Sequence, residues 1–309
     1  MLKSLQKAFK VKEVRDRLLY TFMMLVVIRI GCCLPIPGVN PQYLHQFFEN
    51  LQTSGMGFFN AITGGSFSSM SIFALSITPY ITSSIIMQLL TIAIPKLEEM
   101  QKDGEDGRKK IAEYTRYLTV GLSLFESCAM AVGLGGKGLL LEDHQNIWGY
   151  LTVVAAMTAG SALLMWIGER ITDNGVGNGI SIVLLINIVS GTPQDMMTLY
   201  ERFMAGKSVA VATVACIIVL AIIIAIVVFV LILNDAERRI PVQYSKKMQG
   251  RRMIGGQSTY IPLKVNTANV IPVIFASSIM SMPVMIAQFF HVDYSTIGGK
   301  ILLALSSSN

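Results

Sequence analysis

Charge is scarce in this chain. Only 14% of its 309 residues are Asp, Glu, Lys or Arg, against about 25% in soluble domains. Hydrophobic residues make up 52%, and mean hydropathy is +0.56. A soluble protein this apolar could not cover its surface with polar atoms. The only histidines are His45, His144 and His291, far apart in sequence. Four cysteines, Cys32, Cys33, Cys128 and Cys216, all fall in apolar runs without metal-site spacing, which argues against zinc and against a disulfide framework. The N-terminus lacks a short apolar core followed by a small-residue cleavage site, so no removable signal peptide is expected. No nucleophile elbow or phosphate loop occurs. The run Gly175-Val-Gly177-Asn-Gly179 lacks the spacing and the preceding strand of a dinucleotide loop. Catalytic, metal and cofactor sites are therefore not predicted.

Long apolar runs are plentiful. Seven segments are candidates to cross a membrane: 18–38, 70–94, 117–135, 147–167, 179–192, 208–233 and 267–290. A helix needs about 20 mostly apolar residues for that. All but 179–192 qualify by length. Of 25 Lys and Arg, 20 fall in the stretches 1–17, 95–116, 168–178 and 234–265, which carry 6, 6, 1 and 7. The other side holds Lys137, Arg202, Lys207 and Lys300, and Arg29 lies within an apolar run. Cationic loops stay on the cytoplasmic side, so this alternation places the N-terminus there. It also argues that 179–192 crosses. Otherwise the seven cations of 234–265 would face outside. Short, glycine-interrupted segments are tolerated beside protein or a water-filled cavity, making 179–192 a candidate pore-lining element. The net charge of +6 sits in loops and suits anionic lipid headgroups.

Several stretches admit two readings. Residues 1–17 are an interfacial helix with Leu2, Leu5 and Phe9 on one face, or a solvated basic tail. The stretch 39–69 ends in GFFNAITGGSFSS, whose Phe58, Phe59, Ile62 and Phe67 suit a short element tucked back into the protein, or a loop packed on helix ends. Arg29 is expected to snorkel outward. Glu126, midway along 117–135, is expected to be protonated or hydrogen-bonded to a neighbouring helix. Ala156 and Gly160 form a small-xxx-small packing pair. Pro79, Pro272 and Pro283 should kink their segments. Thr78, Thr82, Ser83, Gln88 and Thr91 in one segment, with Ser277, Ser278 and Ser281 in another, are either ordinary interhelical hydrogen-bonders or the two sides of a separable seam.

Seven collinear stretches then carry a family resemblance: Leu34–Gly38, SIFALSITPYITSSIIMQLL at 71–90, DGEDGRKKIAEYTRY at 103–117, GERITDNGVGNGISI at 168–182, RRIPVQYSKKMQGRR at 238–252, QSTYIPLKVN at 257–266 and VIPVIFASSI at 270–279. The chain resembles the SecY family of protein-translocase channel subunits. The resemblance implies an all-α polytopic membrane protein of the bacterial cytoplasmic membrane, with seven of the family's ten transmembrane helices present. It divides the chain into the interfacial helix 1–17, an N-terminal half at 18–200, and part of the C-terminal half at 201–309, with a cytoplasmic docking loop at 234–265 and an outer tail at 291–309.

By motif position, the resemblance assigns Ile77, Ile81, Ile180, Leu184 and Ile274 to an aliphatic pore ring. Two pairs among them are spaced i,i+4 on one helical face. Aliphatic walls hold back ions by dewetting and fit loosely round a passing side chain. The resemblance makes residues near 57–69, including Phe58, Phe59, Asn60, Ile62, Gly64, Gly65 and Phe67, a plug. It makes Thr78, Thr82, Gln88, Thr91, Ser277, Ser278 and Ser281 part of a lateral gate. Arg238, Arg239, Lys246, Lys247, Arg251 and Arg252 become docking residues for the SecA motor ATPase and the ribosome. The further partners implied are SecE and SecG, signal sequences and nascent polypeptides, beside anionic lipids. Two competing classes are an inverted-repeat secondary transporter, which would depend on Glu126, and a non-conducting membrane scaffold, which would tolerate polar ring residues.

Overall fold

The computed structural model describes residues 10–40, 63–134, 145–206, 208–242 and 259–267, with Tyr43, Gly138, Leu140, Leu141, 247–249, 252–254 and Ala276. It divides into two compact units, one of 1–193 with 277–309 and one of 194–276.

The first unit is built from helices. Helix α1, Lys12–Cys33, starts in the basic stretch and becomes apolar on every side. Its Ile28 and Cys32 are buried while Phe22, Val26 and Ile30 stand exposed, as suits an element facing lipid on one side. Helix α2, Thr78–Ala93, is followed by α3, Pro95–Lys102, at a bend of 102°. Helices α4, Glu105–Leu134, and α5, Ile147–Asn174, come next. Helix α6, Gly179–Phe203, carries Pro193 in its interior, and its residues from 194 onward are counted with the second unit.

Two apolar clusters organise this unit. One gathers Ile36, Phe67, Met70, Leu75, Met130, Val153 and Met157. The other gathers Ile28, Phe73, Ile77, Leu164, Ile167, Ile171 and Val183. Polar links tie the helices at their ends. Arg116 Nε of α4 donates to Glu169 Oε1 of α5 at 2.7 Å, a half-exposed pair whose contribution is at most about 1 kcal/mol. Thr21 Oγ1 of α1 accepts the Val176 N–H at 3.2 Å, and Thr172 Oγ1 accepts the Gly179 N–H at 2.9 Å. The glycine-rich turn is thus bound to the elements on either side. Gly179 itself presses on α5, where a Cβ would overlap the carbonyl oxygen of Gly168.

In the second unit, α7, Val209–Asp235, is almost purely Ile, Val, Leu and Ala, and none of its most apolar window is buried among the described residues. A helix apolar all round needs lipid or another helix on every side. Strand β1, Glu237–Val242, pairs antiparallel with β4, Thr259–Lys264, placing Arg239 opposite Pro262. Between them β2, Lys247–Gln249, pairs with β3, Arg252–Ile254.

Several sequence expectations change here. Among the described residues three helices are long and apolar enough to cross a membrane, Ile147–Asn174, Gly179–Phe203 and Ala210–Asp235, with the bent α2–α3 pair as a fourth if taken as one span. Segments 18–38 and 117–135 do form helices, within α1 and α4, but these begin in charged sequence. The stretch 179–192 is not short, because its helix runs on through Pro193 and the polar turns behind it. Helix α2 starts at Thr78 rather than near Met70, so Pro79 falls in its first turn, where the missing N–H costs no helical bond, and does not kink it. The basic loop contains strands, which an all-α reading passed over. Arg29 does not simply snorkel, since its Nη1 is buried without a hydrogen-bond partner among the described residues. The segment 267–290 lies almost wholly outside the described residues, as do most of 1–17 and the prolines Pro272 and Pro283.

Two glycines give opposite predictions. A Cβ at Gly121, inside α4, meets nothing within 4 Å, so Gly121→Ala should stabilise by about 0.5–1 kcal/mol. Gly179→Ala meets backbone and should destabilise by about 1–3 kcal/mol. Thermal unfolding in detergent reads both, and equal midpoints for the two variants would contradict the packing described.

Candidate functional site: an aliphatic constriction and the segment beside it

The residues assigned to a ring come from two helix starts. Ile77 is the N-cap residue of α2 and is fully buried, and Ile81 lies one turn on. Ile180 lies in the first turn of α6, and Leu184 one turn on. All four belong to the same apolar cluster, Ile77 in its core and the others partly buried against it. Gly168 of α5 makes the approach possible. A Cβ built there would sit 3.4 Å from Ile180 Cδ1 and 3.5 Å from Ile77 Cδ1. Both δ-methyls therefore lie against bare backbone, and these branched aliphatic side chains have no polar atom to offer an ion. Ile274 lies outside the described residues.

Residues 63–77 lead into this cluster as turns rather than as regular helix. Gly64 and Gly65 have φ of +65° and +79°, the left-handed region. Serine hydroxyls bind the turns together. Ser66 Oγ donates to Thr63 O at 2.7 Å, Ser68 Oγ to Gly65 O at 2.9 Å and Ser71 Oγ to Ser66 O at 3.3 Å. The backbone also leans on the strand-like Leu34–Ile36, with Ile36 N–H donating to Met70 O and Ile72 N–H to Leu34 O, both at 3.0 Å. Phe67 is 3% exposed within the first apolar cluster. Between the two readings of 39–69, its described end is a packed, internal element. Phe58, Phe59, Asn60 and Ile62 lie outside the described residues.

The polar face of α2 is less of a seam than expected. Thr82 Oγ1 donates to Thr78 O at 3.1 Å, Ser83 Oγ to Pro79 O at 2.7 Å and Thr91 Oγ1 to Met87 O at 2.6 Å. These hydroxyls turn back onto their own helix, which spares them any need of a partner across an interface. Gln88 is exposed, and Thr78 Oγ1 is buried without a partner among the described residues. Ser277, Ser278 and Ser281 lie outside the described residues. Glu126 is buried in α4, 9% exposed.

Among the basic residues of the loop, Arg238 and Arg239 are exposed on β1, and the Arg239 guanidinium lies 4.7 Å from the centre of the Tyr260 ring. Lys247 begins β2 and Arg252 begins β3, while Lys246 and Arg251 lie outside the described residues. The sequence reading passed over Asn187, the one amide in the run ISIVLLINIV, which is completely buried beside Val183 and Leu184. Its isolation in that run was the available signal.

Comparison with known proteins agrees with this architecture. The SecY family profile matches residues 71–307. A protein translocase subunit SecY from Streptomyces scabiei is 43% identical over 300 residues, spanning 94% of this chain and 68% of that protein. A solved structure in which the plug domain of SecY stabilises the closed state of the translocation channel aligns with a TM-score of 0.55 at 19% identity, over 92% of this chain and 61% of that one. Sec61 in a canine ribosome–channel complex aligns with a TM-score of 0.51 at 20% identity, over 90% of this chain and 59% of that one. The family matches over most of its length and the fold is shared, so this multi-pass membrane chain belongs to the SecY family.

Proposed function

We propose that the chain is the pore-forming subunit of a protein-conducting channel, moving unfolded secretory polypeptides across the cytoplasmic membrane and inserting membrane segments into it. The observation that carries the reading is the meeting of Ile77, Ile81, Ile180 and Leu184 in one apolar cluster, with the turns of 63–77 packed beside it. The chain spans 59–61% of the solved channels it resembles, and Ile274 is proposed as a further member of the constriction. It acts as a passive conduit. Aliphatic side chains offer no binding site to a passing chain and exclude ions by dewetting. The segment near 57–69 is the plug. Helix α2 and the segment 267–290 form the lateral gate through which signal sequences leave into lipid. The seven Lys and Arg of 234–265 orient the protein with its N-terminus in the cytoplasm and offer a landing surface for SecA or the ribosome. SecE and SecG are the companion subunits, and anionic lipids bind the basic loops.

Two outcomes test this reading. In the full-length chain with its partner subunits, Ile81→Asn should raise ion leak across proteoliposomes and relax signal-sequence selection, because a polar group wets the constriction. Conductance and selection equal to the parent's would contradict the ring. Arg251→Glu with Arg252→Glu should weaken ribosome binding and lower the slope of log affinity against log salt by about 1 for each phosphate left without its cation. An unchanged slope would remove these residues from the docking surface.

A further inference from the structure

We propose that Asn187 is a latch that holds the 64–76 segment seated against α6. The proposal rests on the channel reading above and names the contact that keeps the plug-bearing segment in place. Both ends of the segment meet this one residue. At the far end, Asn187 Nδ2 donates to Ser76 Oγ at 2.9 Å, and both residues are buried. At the near end, Gly64 lies against the same residue's backbone: a Cβ there would sit 2.7 Å from Asn187 O and 2.8 Å from Ser190 Oγ. Ser190 Oγ donates to Asn187 O at 2.6 Å, so the surface that receives Gly64 is itself held in place.

Ser76 is a costly place to hold a chain. Its φ is +54°, a conformation that a serine adopts only where its surroundings impose it. The imposing contacts are the Asn187 amide from α6 and the Ser161 hydroxyl of α5, which donates to the Ser76 carbonyl at 3.3 Å. Ser76 directly precedes Ile77, so whatever fixes Ser76 also fixes the first member of the constriction. The latch is thereby coupled to the wall it serves.

The same contact is built to release. Asn187 Oδ1 is buried without a hydrogen-bond partner among the described residues, and so is Thr78 Oγ1 two residues past Ser76. Unpaired buried oxygens oppose the seated arrangement, and water or a passing polar chain would satisfy them once the segment leaves. A leucine at 187 would suit the surrounding isoleucines better, yet could not hold Ser76. The amide is therefore a device for a bistable position rather than for packing.

The test uses the full-length chain with its partner subunits in proteoliposomes, reading resting ion leak without substrate. Asn187→Ala and Ser76→Ala should each raise the leak about fivefold, the population shift expected from one net hydrogen bond. The double variant should leak no more than the leakier single, because both remove the same bond. Melting temperature serves as the second reading, and the leak should rise even where it does not move. If both singles stay as tight as the parent while Ile81→Asn leaks, the latch is overturned and the channel reading stands. If Ile81→Asn is also tight, the channel reading falls and the latch with it. Should Asn187→Ala fail to accumulate, Gly64→Ala displaces the opposite end of the segment and must leak likewise; a sealed Gly64→Ala channel overturns the latch.

Discussion

Non-helical backbone buried away from water has to satisfy its own polar groups, because its surroundings offer no other hydrogen bonds. Residues 63–77 carry that burden, and much of the first unit is arranged around it. Short serine side chains cap the carbonyls of Thr63, Gly65 and Ser66, and the stretch Leu34–Ile36 supplies a bridging partner to Met70 and Ile72. Glycines at 64 and 65 take the left-handed turns that most residues resist. The Gly/Ser composition of the segment, puzzling as a surface loop, follows from this one constraint.

The constraint also explains where the proposed constriction sits. Because 63–77 is turned rather than helical, α2 begins only at Thr78, and Ile77 becomes the residue at which irregular chain meets helix. On the other side, the glycine-rich turn bound to Thr21 and Thr172 ends at Gly179, and α6 starts with Ile180. Two helix starts thus deliver aliphatic side chains to one place, over the bare backbone of Gly168. Position comes from the turns, and character comes from the branched side chains.

The sequence made some of this legible and hid the rest for physical reasons. Long apolar runs and the uneven placement of Lys and Arg announce a multi-pass membrane protein, since both follow from the energetics of crossing a bilayer. The motif stretches then carry the family, which profile and relatives bear out. Helix boundaries were harder. Hydropathy reads Met70–Ile77 as part of a span, because burial inside protein and burial in lipid select the same residues, and only the Gly/Ser bonding pattern distinguishes them. Helix α6 looked short because Gly191-Thr-Pro193 resembles a stop, yet the turns beyond it continue the helix. The strands of the basic loop escaped because they are short and the two longer ones each carry a proline, Pro241 and Pro262, which argues against a strand. Thr82, Ser83 and Thr91 looked like partners for another helix, and composition does not show that a hydroxyl four residues from a carbonyl is already satisfied.

We propose that the segment 64–76 must leave its seat for a polypeptide to pass. Ser76 and Asn187 are near enough for a tether, since their side chains meet at 2.9 Å. In the full-length chain with its partner subunits, a Ser76→Cys, Asn187→Cys pair can be oxidised and the crosslinked fraction measured alongside translocation of a secretory protein into vesicles. Translocation should fall in proportion to the crosslinked fraction and return on reduction. Undiminished translocation through fully crosslinked channels would contradict the account.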